Sequence, residues 1–130
     1  MALTPKELQS RTRMFALRVL RAFRSLPDSR EARVLGQQLL RSATSVAANY
    51  RAACRARSHR DFLFKLGIVE EEADESLFWL EFMAEAGLIP RAKLEDLISE
   101  ASQLTAIIVA SRRTAKSNNR QSEIVNRKSS

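Results

Sequence analysis

The chain has 130 residues, 45% of them hydrophobic and 28% charged, with a formal net charge of +7. That length suits one domain able to bury a core without disulfides or metal, and no apolar run approaches the ~18 residues of a membrane span, which excludes a membrane protein. Residues 1–10 carry no apolar leader segment and Cys54 is the single cysteine, so a soluble, cytoplasmic protein without internal disulfides is expected.

Glycine and proline number three each, and Pro5, Pro27, Gly87 and Pro90 punctuate long stretches rich in Ala, Leu, Arg and Glu. Helix 1 is predicted from Thr4-Pro5-Lys6-Glu7, a capping box with proline in the first turn, to Leu26. Leu8, Phe15, Val19, Phe23 and Leu26 recur at three-, four- and seven-residue steps and form its core face. Helix 2 is predicted from Asp28 or Ser29 to Ala56, with Leu35, Leu39, Ser42, Val46, Tyr50 and Ala53 inward. Helix 3 opens at the second Ser-x-x-acid signal, Ser58-His59-Arg60-Asp61, and closes at Gly87. Its core stripe is Phe62, Leu66, Val69, Ala73, Leu77, Leu80 and Ala84. Helix 4 begins at Pro90, carries Leu94, Leu97, Ile98, Ala101, Leu104, Thr105 and Ile108, and fades after Ala115. The polar and basic tail over 117–130 is expected to be disordered. Gly36 and Gly67 fall inside helical patterns, where each marks either a close helix crossing or a tolerated defect.

Helices of roughly 23 to 29 residues, about 35 to 44 Å long, joined by very short links, must each fold back beside the last. The predicted fold is an all-α, antiparallel up-down-up-down four-helix bundle over residues 1–116.

The charge is segregated: helices 1 and 2 carry +5 and +4, helix 3 carries −6, and helix 4 and the tail carry +2 each. Lys6, Arg13, Arg21 and Arg24 project from helix 1 away from its core stripe, and Arg33, Arg41, Arg51 and Arg55 do the same on helix 2. Two adjacent helices thus offer an arginine-rich wall suited to phosphate. The alternative is an ordinary solvated surface, partly neutralised by helix 3.

Helix 3 is apolar on more than one side, because Phe64, Ile68, Phe78 and Phe82 lie roughly opposite its core stripe. Met14, Leu17 and Leu20 form a matching surplus on helix 1, and Leu17 and Phe82 lie too far round for a broad core to absorb. Burial of these stripes between subunits is therefore expected.

No constellation for catalysis, metal binding or a cofactor is evident. One histidine and one cysteine cannot build a metal site of Glu-x-x-His type, and there is no glycine-rich phosphate loop. His59 is read as a solvated or capping residue, Cys54 as a packing residue, and the acidic run Glu70-Glu71-Glu72-Ala73-Asp74-Glu75 as a solvated face with inter-helix ion pairs. A non-enzymatic protein is expected.

The stretch from Leu40 to Ala53, Leu-Arg-Ser-Ala-Thr-Ser-Val-Ala-Ala-Asn-Tyr-Arg-Ala-Ala, resembles the second helix of the small four-helix-bundle proteins encoded in intervening sequences of bacterial 23S ribosomal RNA genes. Asp61-Phe62, Lys65 to Glu75 and Phe78-Trp79-Leu80-Glu81 resemble that family's third helix, and the likeness extends over about residues 10 to 110. The resemblance implies a basic bundle assembled as a homopentameric ring, with a nucleic-acid-binding role and no established catalytic residues. The leading functional expectation is an oligomeric protein that binds RNA or DNA backbones through helices 1 and 2. Its rival is a protein-interaction scaffold or accessory factor without nucleic-acid contact.

Overall fold

The structure is a computed structural model that describes residues 3–129, with side chains through Asn118. Four helices follow one another: α1 over Pro5–Arg24, α2 over Arg30–Cys54, α3 over His59–Glu85 and α4 over Arg91–Ser129. There is no strand among the described residues, and no helix among them is long and apolar enough to cross a membrane.

The helix starts follow from their capping residues. The Thr4 hydroxyl accepts from Glu7 N at 3.1 Å, the Ser29 hydroxyl from Ala32 N at 3.2 Å and the Ser58 hydroxyl from Asp61 N at 3.0 Å. Each satisfies an amide that the first helical turn leaves without a partner. The stops differ slightly from expectation. α1 and α2 end at Arg24 and Cys54, before Leu26 and Ala56, because Ser25 and Arg55 leave helical geometry while their amides still bond back to the preceding turn. At Gly87 the backbone takes a φ of 75°. Leu88 N then donates to Met83 O and Gly87 N to Ala84 O, each at 3.1 Å, the paired bonds that close a helix through a left-handed glycine.

α4 runs past Ala115 and remains helical through the segment expected to be disordered, as far as Ser129. Nothing from Lys116 to Ser129 is a glycine or proline, so no residue there forces the helix to stop. With 39 residues α4 is about 58 Å long, whereas the 20 residues of α1 cover about 30 Å.

α2 packs between α1 and α3, and α4 packs on α3 and more lightly on α1, while the diagonal pairs do not meet. The links between consecutive helices, 25–29, 55–58 and 86–90, are so short that each helix must turn back beside the last. Arg41 and Ser42 of α2 face Glu75 and Ser76 of α3, and along α3 and α4 the contacts run in opposite order, His59 meeting Ala115 and the later Glu70 meeting the earlier Arg112. The four helices therefore alternate in direction. Phe15 and Val19, Leu39 and Val46, Leu66 and Leu80, and Leu94, Leu104 and Ile108 meet in one core, each at most 1% exposed. Phe23 and Leu26, expected in the core face of α1, are only half-buried, because they cover the end of α2 at Gly36. A β-carbon at Gly36 would stand 2.5 Å from Leu26 Cδ1 and 3.0 Å from Phe23 Cδ2, so Gly36 marks a close helix crossing. At Gly67 the Arg112 guanidinium lies across the glycine, with Nη2 3.3 Å from where a β-carbon would be.

Gly87 has no neighbour that a methyl group would strike, so alanine there tests backbone strain alone. Gly87→Ala is expected to lower the unfolding free energy by about 1–2 kcal/mol, measured as a reduced urea midpoint at unchanged m-value.

Candidate functional site

The eight cations read as phosphate-binding candidates, Lys6, Arg13, Arg21 and Arg24 on α1 with Arg33, Arg41, Arg51 and Arg55 on or beside α2, are all exposed. Among the described residues only two of them form ion pairs: Arg33 with Asp28 at 2.6 Å, and Arg41 with Glu72 at 3.4 Å and Glu75 at 2.9 Å. The structure gathers half of the set. Lys6 and Arg13 from α1, with Arg41 and Arg51 from α2, line one open groove of about 1080 Å³ between these helices. Leu17, Leu20, Leu40, Ala47 and Ala48 form its apolar part, and no carboxylate lines it. Lys6, Arg13, Leu17 and Leu20 recur at seven, four and three residues, so they share the side of α1 turned from its core stripe. Arg21, Arg24, Arg33 and Arg55 lie outside the groove. Periodicity within each helix does not reveal the groove. Its signal is the pair of small residues Ala47, half-buried beside the core, and Ala48, exposed, which leave room that larger side chains would fill.

The acids of α3 divide by direction. Glu70 receives Arg112 Nη1 of α4 at 2.7 Å, and Glu72 and Glu75 receive Arg41 of α2. Glu71, Asp74 and Glu85 are exposed and take part in no ion pair among the described residues. Burial alone would raise the pKa of Glu75, but the Trp79 indole N–H, donating at 3.2 Å, and the Arg41 guanidinium outweigh it and hold the carboxyl below its usual range. Arg41 is in turn held more firmly protonated by its hydrogen bonds to Glu75 and the nearby charge of Glu72. Of the groove cations, Arg41 is thus committed inside the chain.

The surplus apolar residues stay largely outside the core. Phe64 is 67% exposed, Phe78 54%, Met14 50%, and Leu17 and Phe82 41% each; Leu20 and Ile68 are half-buried. Phe78 stacks on Phe82 with centroids 5.8 Å apart, and Trp79 meets Phe78 edge-on at 5.0 Å, so the second half of α3 presents a contiguous aromatic patch. Val34 on α2 is equally bare; nothing in the periodicity of α2 singles it out.

Cys54 and His59 line a second pocket of about 480 Å³ together with Tyr50 and Phe62. His59 Nε2 lies 2.9 Å from the Ala115 carbonyl, tying the start of α3 to α4. Burial, aided by a hydrogen bond with Cys54, raises the Tyr50 hydroxyl well above its usual range. Among the described residues no group of three or more His, Cys, Asp or Glu side chains is placed to hold a metal ion.

Comparison with known proteins places this geometry in a wider set. The family model for the 23S rRNA-intervening sequence protein matches residues 6–110. A 1.70 Å crystal structure of a protein of unknown function from the S23 ribosomal protein family of Bacteroides thetaiotaomicron VPI-5482 superposes with a TM-score of 0.79 at 28% identity. The match covers 85% of this chain and 99% of that one. No curated protein matches.

The Glu75 carboxyl is held below the ordinary 4.5 of a glutamate, so its contribution is full above that value and fades as pH falls through the lower, folded-state range. Glu75→Gln is therefore expected to be less stable than wild type at pH 6, with the difference shrinking towards pH 3. Paired denaturant titrations across that window check it; a constant difference would show that the Arg41–Glu75 contact is not ionic in origin.

Proposed function

The chain belongs to the 23S rRNA-intervening sequence protein family, and on that premise we propose that it is a non-enzymatic, self-associating protein that binds RNA or DNA backbones through the outward cations of α1 and α2. The observation that carries the reading is that six of the eight candidate cations, Lys6, Arg13, Arg21, Arg24, Arg51 and Arg55, have no ion-pair partner among the described residues. Arginines held in the native state without a carboxylate are free to pair bidentately with phosphate. Of the aromatic residues, Trp79 and Tyr50 are at least half-buried, and Phe64, Phe78 and Phe82 lie on α3, away from the α1–α2 cations. Base stacking on that basic face is therefore not the means of recognition, and contact through the backbone tolerates sequence.

The exposed apolar surface supports self-association. Each large side chain left in water forgoes roughly 1.5–3 kcal/mol of burial, and Met14, Leu17, Phe64, Phe78 and Phe82 lie on unlike faces of the bundle. Contacts between unlike faces repeat and close into a ring where the rotation between copies allows it; a homopentamer is the form the family resemblance suggests. The second reading is a protein-interaction scaffold in which the basic faces only balance acids, and the pairing of Arg41 with Glu72 and Glu75 favours it locally.

Salt dependence separates the two. Wild type is expected to bind a single-stranded RNA probe with an affinity that falls steeply with salt. Arg21→Gln with Arg24→Gln and Arg55→Gln is expected to flatten the log–log slope by roughly 0.7 to 0.9 for each phosphate no longer neutralised, without loss of helicity. Absence of wild-type binding at low salt would leave the scaffold reading in possession.

A further inference from the structure

We infer that the α1–α2 groove is the seat for the outer stripe of α3 from a second copy of this chain. The inference rests on the self-association proposed above and names its two faces. Phe64, Ile68, Glu71, Phe78, Phe82 and Glu85 recur along α3 at four, three, seven, four and three residues, a single continuous stripe. Two apolar pairs, Phe64 with Ile68 and Phe78 with Phe82, are each followed by a carboxylate, and these, Glu71 and Glu85, are exposed and free of ion pairs among the described residues.

The groove is the complement of that stripe. Its apolar part is formed by Leu17, Leu20, Leu40 and small alanines, its unpaired cations are Lys6, Arg13 and Arg51, and no carboxylate lines it. An amphipathic helix laid into such a groove buries its apolar positions and leaves its acids against the basic rim. The groove is long enough for about two-thirds of the stripe. Lys6 to Leu20 along α1 and Gln37 to Arg51 along α2 each cover about 21 Å, against about 32 Å from Phe64 to Glu85 on α3.

The α3 stripe of the same chain cannot fill the groove. α3 packs side by side with α2 and α4 and lies diagonally across the core from α1, and the stripe lies on the side of α3 opposite the buried Val69, Ala73 and Leu80. The contact is therefore heterologous, groove to stripe. It divides the basic surface: Lys6, Arg13 and Arg51 are covered on assembly, while Arg21, Arg24 and Arg55, outside the groove, stay open to phosphate.

Charge reversal tests the pairing. Mass in solution would be measured by light scattering for wild type, for Arg13→Glu with Arg51→Glu, for Glu71→Arg with Glu85→Arg, and for all four changes together, with helicity followed by circular dichroism. Wild type is expected well above the 14.7 kDa of one chain, each reversed pair as a helical monomer, and the fourfold variant back at the wild-type mass. Should a reversed pair unfold, the neutral Arg13→Gln with Arg51→Gln carries the test instead, raising the concentration of half-assembly about tenfold. A monomeric wild type would sink the self-association reading itself. An oligomer that survives groove reversal, or a folded fourfold variant that stays monomeric, overturns the groove-to-stripe contact alone. So does a groove-reversed variant of wild-type mass that no longer binds the RNA probe, since nucleic acid would then be the occupant.

Discussion

The seam between α2 and α3 is the contact on which the other packing depends. At its centre Ser42 and Ser76, both 0% exposed, stand against each other, with Ser76 Oγ 3.0 Å from Ser42 Oγ. Ser42 donates to the Leu39 carbonyl, so its oxygen is free to accept from Ser76, and neither buried hydroxyl is left without a partner. Small side chains at this level let two backbones approach closely. The flanking Leu39, Val46, Leu66 and Val69 then fill the core. Arg41 closes the same seam from outside by reaching Glu72 and Glu75. With α2 committed to α3 along this line, its opposite side is left with Ala47, Ala48 and Thr44, which cannot fill the space beside α1. The groove is a geometric consequence of where the tight seam lies.

The elements legible in the sequence are those decided within one or two turns. Ser29 and Ser58 cap because a hydroxyl three residues before a free amide has one good partner, and Gly87 terminates because only glycine accepts its backbone angle without strain. Inward faces are legible for the same reason, since periodicity is a property of one helix: Leu39, Val46, Leu66, Leu80 and Leu104 are buried where the pattern puts them. What one helix cannot say is which neighbour it meets and at what distance. Phe23 and Leu26 match the periodicity of α1 yet are only half-buried, because their surroundings are set by the crossing at Gly36. The end of α4 is illegible for a different reason: fading amphipathicity reports loss of packing, whereas a helix needs a breaker or a competing partner to stop.

The candidate site is legible residue by residue and illegible as a shape. Every outward cation named from the pattern is exposed, yet the pattern treats Arg13 and Arg41 alike. Arg13 remains unpaired beside Leu17, while Arg41 is bound to α3. The distinction depends on the register of α2 against α3, which places Arg41 level with Glu72 and Glu75 and leaves Arg51, ten residues on, beyond their reach. In the same way the acidic run of α3 reads as one block, but its register against two neighbours turns Glu70 towards Arg112 and Glu72 and Glu75 towards Arg41. Glu71 and Asp74 are left outward.

Charge segregation in this bundle is thus resolved only in part within the chain. Exposed pairs contribute little stability each, so pairing at the seams chiefly fixes which helix faces which. The cations left over on α1 and α2 and the acids left over on α3 lie beside apolar side chains, Leu17 and Leu20 on one face and Phe78 and Phe82 on the other. A charge next to such a side chain keeps a bare apolar surface solvated until an oppositely charged, equally apolar surface arrives, and like surfaces repel. In the assembly proposed above, two basic grooves would repel each other, as would two acidic stripes, so contact between unlike faces is favoured over symmetric pairing of identical ones.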